Sequence, residues 1–138
     1  MNNTPQVKAP WLKSKDPEVP AALTYSELSM CSRVEEMVRR YPDYIAYEFM
    51  GKCTTYAEMW KKINACAKSL KAIGIREGDK VTICMPNAPQ TLCMFYAVNM
   101  VGAIANMVHP LSAESEIAFY LRDSGSVAAI TLDQFYNK

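Results

Sequence analysis

The residues able to do chemistry are few and scattered. The five glycines, Gly51, Gly74, Gly78, Gly102 and Gly125, stand apart from one another. Neither G-x-G-x-x-G nor G-x-x-x-x-G-K-[ST] occurs, so the usual glycine-loop route to holding a nucleotide is closed. The single histidine, His109, has no cysteine or carboxylate close to it in sequence, and a dyad or triad around it would have to be assembled from distant segments. It falls at the end of an expected strand, where open α/β sheets place their ligands. That position makes His109 the one cofactor-binding candidate, set against the plainer reading of a loop histidine bonded to backbone. Glu35 with Glu36, and Glu114 with Glu116, read as solvated helix faces, because an acid pair with a catalytic role needs a cleft around it. Lys61, Lys62, Lys68 and Lys71 form a helical face that could meet a phosphate or a partner, although an ordinary solvated helix predicts the same pattern.

The cysteines, Cys31, Cys53, Cys66, Cys84 and Cys93, are odd in number and contain no C-x-x-C pair. They lie in apolar segments and read as small buried hydrophobes in a reducing compartment, not as a disulfide framework or a zinc site. No metal ligand set and no catalytic residue is expected. The 15 basic and 14 acidic residues leave a net charge of +1, which supplies no field for nucleic acid or an anionic membrane. The opening stretch is polar and proline-rich, unlike a secretory signal, so a cytoplasmic location is expected. Between Lys80 and Glu114 no residue carries a formal charge. Pro86, Pro89 and Pro110 bracket that run, Gly102 splits it, and Asn99 and Asn106 would have to sit in lipid. It therefore reads as a core helix followed by a buried strand, with no transmembrane segment.

Elements must position these groups. Residues 1–25, with Pro5, Pro10, Pro17 and Pro20, read as an extended arm whose Trp11 and Leu12 could dock elsewhere. An amphipathic helix is expected over 26–40, with Leu28, Cys31, Val34, Met37, Val38 and Tyr41 on one face. A strand over 44–50, a turn at Gly51-Lys52 and a return strand over 52–54 follow. Thr55 and Glu58 have capping-box spacing, and Tyr56, Met59, Trp60, Ile63, Ala67, Leu70 and Ile73 make the apolar stripe of a helix that Gly74 ends. A buried strand over 80–85, an apolar helix over 89–100 and a strand over 103–108 come next. Ser112 is the expected cap of a helix ending at Ser124-Gly125, with Glu114 and Glu116 in its first turn. A strand over 127–131 follows, and Asp133 is placed to cap a further helix. Alternating helices and strands predict an α/β fold, a βα-layered parallel sheet with helices on both faces.

The order of these segments resembles the adenylate-forming (AMP-binding) acyl-CoA synthetases. The resemblance is carried by Tyr41-Pro42-Asp43-Tyr44-Ile45-Ala46-Tyr47-Glu48 and Thr54-Thr55-Tyr56-Ala57-Glu58-Met59. It continues through Leu70 to Val81, with Gly74, Gly78 and Asp79 at the family's positions, and through Met85-Pro86-Asn87-Ala88-Pro89-Gln90. Ala97 to Ala103, Pro110 and Asp123-Ser124-Gly125 complete it, with His109 where the family often has asparagine. Residues 26–138 would then be the first part of the large N-terminal domain of that fold, ahead of the ATP-binding loop, with 1–25 an arm outside the match. The resemblance implies a parent enzyme using ATP, Mg²⁺ and coenzyme A, in which a carboxylate becomes an acyl-adenylate and then an acyl-CoA, with a fatty acid as the acyl donor. The family's Ser/Thr/Gly-rich loop, adenine- and ribose-binding segments and C-terminal lysine have no counterpart before Lys138. This stretch alone is therefore expected to be an inactive scaffold whose partners are the remainder of its own N-terminal and C-terminal domains. A stand-alone interaction module, pairing with itself through exposed sheet edges, is the alternative.

Overall fold

In the computed structural model, which describes residues 10–20 and 22–135, helices and strands alternate as an α/β chain. The first helix, α1 (Met30–Arg40), begins four residues later than its apolar pattern suggests, because Ser29 is extended and accepts the N–H of Ser32. Ser26 instead accepts the N–H of Leu28, and Leu28 lies outside the helix and exposed. Strands β1 (Ile45–Phe49) and β2 (Lys52–Thr55) form an antiparallel hairpin. Its turn is Met50-Gly51, not Gly51-Lys52. Both residues have positive φ, 50° and 77°, the pairing that suits the twist of a two-residue hairpin.

Helix α2 (Tyr56–Ala72) begins as its sequence predicts. The N–H of Glu58 donates to the Thr55 hydroxyl and the N–H of Thr55 donates to the Glu58 carboxylate, at 3.3 and 3.0 Å. Gly74 follows the helix with φ of 94°, and its N–H and that of Ile75 donate back to Lys71 and Leu70, closing the last turn. Met59, Ile63, Ala67 and Leu70 are buried, but Ile73, assigned to the same stripe, is 72% exposed. It lies past the last helical turn, where the apolar face has already left the core.

Strands β3 (Lys80–Cys84), β4 (Ile104–Val108) and β5 (Ala128–Thr131) form a parallel sheet in the order β4-β3-β5. Helices α3 (Pro89–Met100) and α4 (Glu114–Ser124) make the two crossovers. The chain steps outward from β3 to β4 and then returns across β3 to β5. Right-handed crossovers for steps of opposite direction put α3 and α4 on opposite faces of the sheet. The core lies on the α3 side, where Val81 and Ile83 pack with Ile63, Ala67, Ala97 and Val98. Two local expectations change. Ala113, not Ser112, is the extended residue before α4, and its N–H donates to the Glu116 carboxylate at 3.0 Å. Asp133 opens only a short 3-10 turn, Asp133–Phe135. Cys31, Cys84 and Cys93 are buried and Cys66 is half-buried, whereas Cys53 is exposed on the hairpin.

Candidate functional site

The loops that follow β3 and β4 leave adjacent parallel strands toward opposite faces, which opens a crevice at their carboxyl ends. This crevice has a volume of about 400 Å³, and its walls include Met85, Asn87, Met107, His109 and Leu111. A second one, of about 380 Å³, adjoins it between the hairpin and the start of α3, walled by Tyr47, Phe49, Pro89, Leu92 and Phe95. Asn87 and Met107 line both. The loop between them is held by the Thr91 hydroxyl, which donates to the Pro86 carbonyl at 2.6 Å. Pro89 at the first position of α3 fixes where that helix starts.

His109 stands on the wall of the first crevice, exposed, with Nδ1 accepting the N–H of Leu111 at 3.2 Å. Its ring is thus oriented by the turn it sits in, and Nε2 is the nitrogen not used by that bond. The other groups with chemical potential lie elsewhere. Glu35 and Glu36 pair with Arg39, Arg33 and Arg40 along the exposed side of α1, at 2.8 to 3.7 Å. Glu116 caps α4. From the lysine face, Lys62 reaches the Tyr47 hydroxyl at 3.4 Å and lies over its ring. Burial pushes the Cys31, Cys66 and Cys93 thiols up from their ordinary range; Glu35 adds to this at Cys31, and Cys66 adds to it at Cys93. Such thiols stay neutral and unreactive at neutral pH.

The apolar crevice beside the hairpin was not foreseen from sequence. Its walls come from β1, α3 and β4, and the only local hint was the apolar run from Leu92 onward. No lysine or arginine lines either crevice, and among the described residues no three His, Cys, Asp or Glu side chains gather as metal ligands. The mostly apolar walls, with the Glu48 carboxylate on the second crevice, do not fit a triphosphate with its magnesium ion. No helix of the described residues is long and apolar enough to cross a membrane.

The pattern of the AMP-binding enzyme family matches residues 34–138. The long-chain-fatty-acid–CoA ligase of Bacillus subtilis (strain 168) is 32% identical over 133 residues, 96% of this chain and 24% of that protein. The long-chain-fatty-acid–CoA ligase FadD13 of Mycobacterium tuberculosis is 42% identical over 76 residues, 55% of this chain and 15% of that protein. Among solved structures, the N-terminal domain of FACL13 from Mycobacterium tuberculosis superposes with a TM-score of 0.70 at 34% identity. That superposition covers 73% of this chain and 26% of the other. The Klebsiella oxytoca NpsA N-terminal subdomain in complex with anthranilyl-AMSN gives a TM-score of 0.73 at 27% identity, covering 75% and 27%. The chain thus spans about a quarter of the length of the Bacillus relative. The family pattern begins inside α1, but the Bacillus match leaves only five of the 138 residues unaligned (138 less 133), so it reaches the segment Pro10–Ser14. By the family pattern it matches, by these relatives and by its fold, the chain belongs to the AMP-binding enzyme family.

Proposed function

We propose that residues 26–138 are the opening part of the N-terminal domain of an ATP-dependent acyl-CoA synthetase acting on fatty acids, with residues 1–25 an arm ahead of it. The observation that carries this reading is a family member whose strand-end crevices are walled mostly by apolar side chains, with Glu48, Asn87, Thr91 and His109 among them, and have no lysine or arginine in their walls. Activating a carboxylate with MgATP demands that a triphosphate be neutralised and in-line transfer be stabilised. These residues do not supply such groups, so their role is to carry the sheet, helices and crevices on which the remainder of the protein assembles. The parent enzyme would use ATP, Mg²⁺ and coenzyme A, work in the cytoplasm, and have its own later N-terminal and C-terminal segments as partners. Within this stretch His109 is the residue we assign to a ligand contact, through Nε2, and none to catalysis. ATP–pyrophosphate exchange with a long-chain fatty acid tests the reading. The purified chain should show no exchange, and clear exchange would sink the scaffold assignment. The reading frame beyond codon 138 is the companion test. A continuation into a Ser/Thr/Gly-rich loop with a lysine supports the parent enzyme, and a stop codon there removes it.

The sheet favours a second reading. β4 and β5 flank β3, so each has one side without a strand partner among the described residues, and neither strand carries a charge or a proline to protect that side. A chain of this length on its own would pair through those edges. Light scattering that shows a single monomer at high concentration would count against it.

A further inference from the structure

The two strand-end crevices share a wall and differ beyond it. Asn87 and Met107 line both. His109 belongs to the first, whereas Phe49 of the hairpin and Leu92 and Phe95 of α3 belong to the second. Because His109 Nδ1 accepts the Leu111 N–H, the neutral ring carries its proton on Nε2, and that nitrogen is a hydrogen-bond donor. The Asn87 amide supplies two further donors and makes no hydrogen bond among the described residues. Donors therefore gather on the first crevice, and aromatic and aliphatic side chains on the second. The one formally charged residue on either wall is Glu48, on the second, and its carboxylate has no ion pair among the described residues.

We propose that the adjoining crevices hold one ligand, an alkyl monocarboxylate. Its carboxylate takes hydrogen bonds from His109 Nε2–H and the Asn87 amide, and its chain lies among Phe49, Leu92, Phe95 and Met107. This rests on the reading of His109 as a ligand contact in the proposed function, and it gives that ligand its chemistry. His109 and Asn87 are both exposed, so a single negative charge there keeps part of its water while gaining charge-assisted hydrogen bonds. Neutral donors serve one charge in this way, but not the several charges of a triphosphate. Glu48 repels a carboxylate from the second crevice, which leaves the ligand one orientation. Phe49 and Met107 are 40% and 50% exposed, and an alkyl chain laid against them removes that apolar surface from water. The second crevice, at about 380 Å³, falls within the ~300–1,000 Å³ of small-molecule sites.

Equilibrium dialysis of the purified chain against decanoate, hexanoate and decanol, with no nucleotide present, separates recognition of the head from recognition of the chain. Decanoate should bind saturably, and hexanoate more weakly by about two- to fourfold for each methylene removed. Decanol, which keeps the alkyl chain and lacks the charge, should bind severalfold more weakly than decanoate. His109→Ala and Asn87→Ala should each weaken decanoate about three- to tenfold and leave decanol unchanged, whereas Phe49→Asp should weaken both. If a variant does not fold, nuclear Overhauser contacts in the unaltered chain read the same placement, from the methyl end of decanoate to Phe95 and from its carboxyl end to His109. The reverse order overturns the proposal. So does the absence of saturable binding, equal affinity for decanoate and decanol, or a loss in His109→Ala that falls on both ligands alike. The acyl-CoA synthetase reading fails separately, since a stop codon after Lys138 removes the parent enzyme and leaves decanoate binding as it is.

Discussion

On one face of the parallel sheet, Val81 and Ile83 are fully buried beneath α2 and α3, sharing a close-packed core with Ile63, Ala97 and Val98. On the other face the same central strand turns Thr82 and Cys84 toward α4, a helix with no fully buried residue. There the contact is polar. The Thr82 hydroxyl bonds Ser126 at 2.7 Å and accepts from Asn106 at 2.9 Å, and Ser126 bonds Ser124 at 2.8 Å. One strand thus holds two neighbours by different means: apolar packing above, and below a hydroxyl–amide chain that ties β3 to β4 and to the turn before β5. Packing is insensitive to direction, whereas the polar chain accepts one register only.

Matched substitutions can break or sharpen this contrast. Ile63→Ala should cost most, about 2–5 kcal/mol by urea unfolding, because the close-packed face collapses poorly around a cavity. Thr82→Val keeps the shape but strands the Asn106 amide and leaves the Ser126 hydroxyl only its bond to Ser124, and should cost about 1–3 kcal/mol. If it proves neutral, the polar chain is not what fixes the second face. Ile117→Ala on α4 should cost only about 1 kcal/mol, since the residue is half-buried. A loss equal to that of Ile63→Ala would mean the two faces are closed alike.

The first face also has an alkaline signature. Burial holds the Cys93 thiol above its ordinary 9.0 in the folded chain, with Cys66 adding to the shift and Lys62 opposing it. The fold therefore favours the neutral thiol. Its contribution is complete below the unfolded pKa and is lost as pH rises through the higher folded value. Unfolding midpoints should hold up to about pH 9 and fall beyond it, and less so in Cys93→Ala. Smallest of all, His109→Ala should change stability by less than about 0.5 kcal/mol, as it removes one exposed loop contact. A larger loss would make His109 a structural residue and weaken its assignment to a ligand.

What the sequence showed and missed follows the range of each interaction. The start of α2 was legible because Thr55 and Glu58 satisfy each other three residues apart. Ile73 was misread because the stripe continues in sequence after the helix has ended. Leu28 was misread because the helix is capped at Ser29, one residue beyond it. Ser112 looked the better cap by residue type, yet the chain becomes helical only after Ala113. His109 was legible as a strand-end histidine, but the walls around it were not, since Asn87 and Met107 are separated from each other by the whole of α3 and most of β4.

By itself the sequence determined the alternation of helix and strand, the capped start of α2, its glycine stop and the absence of a glycine-rich phosphate loop, all matters of near neighbours. Only the tertiary structure decided the strand order β4-β3-β5, the opposite placement of α3 and α4, and the adjoining crevices at the strand ends. Each of these depends on which distant segments pair. Thr82 opposite Asn106 and Ile83 opposite Ile130 are choices made by competing long-range contacts, and no local pattern of residues encodes them.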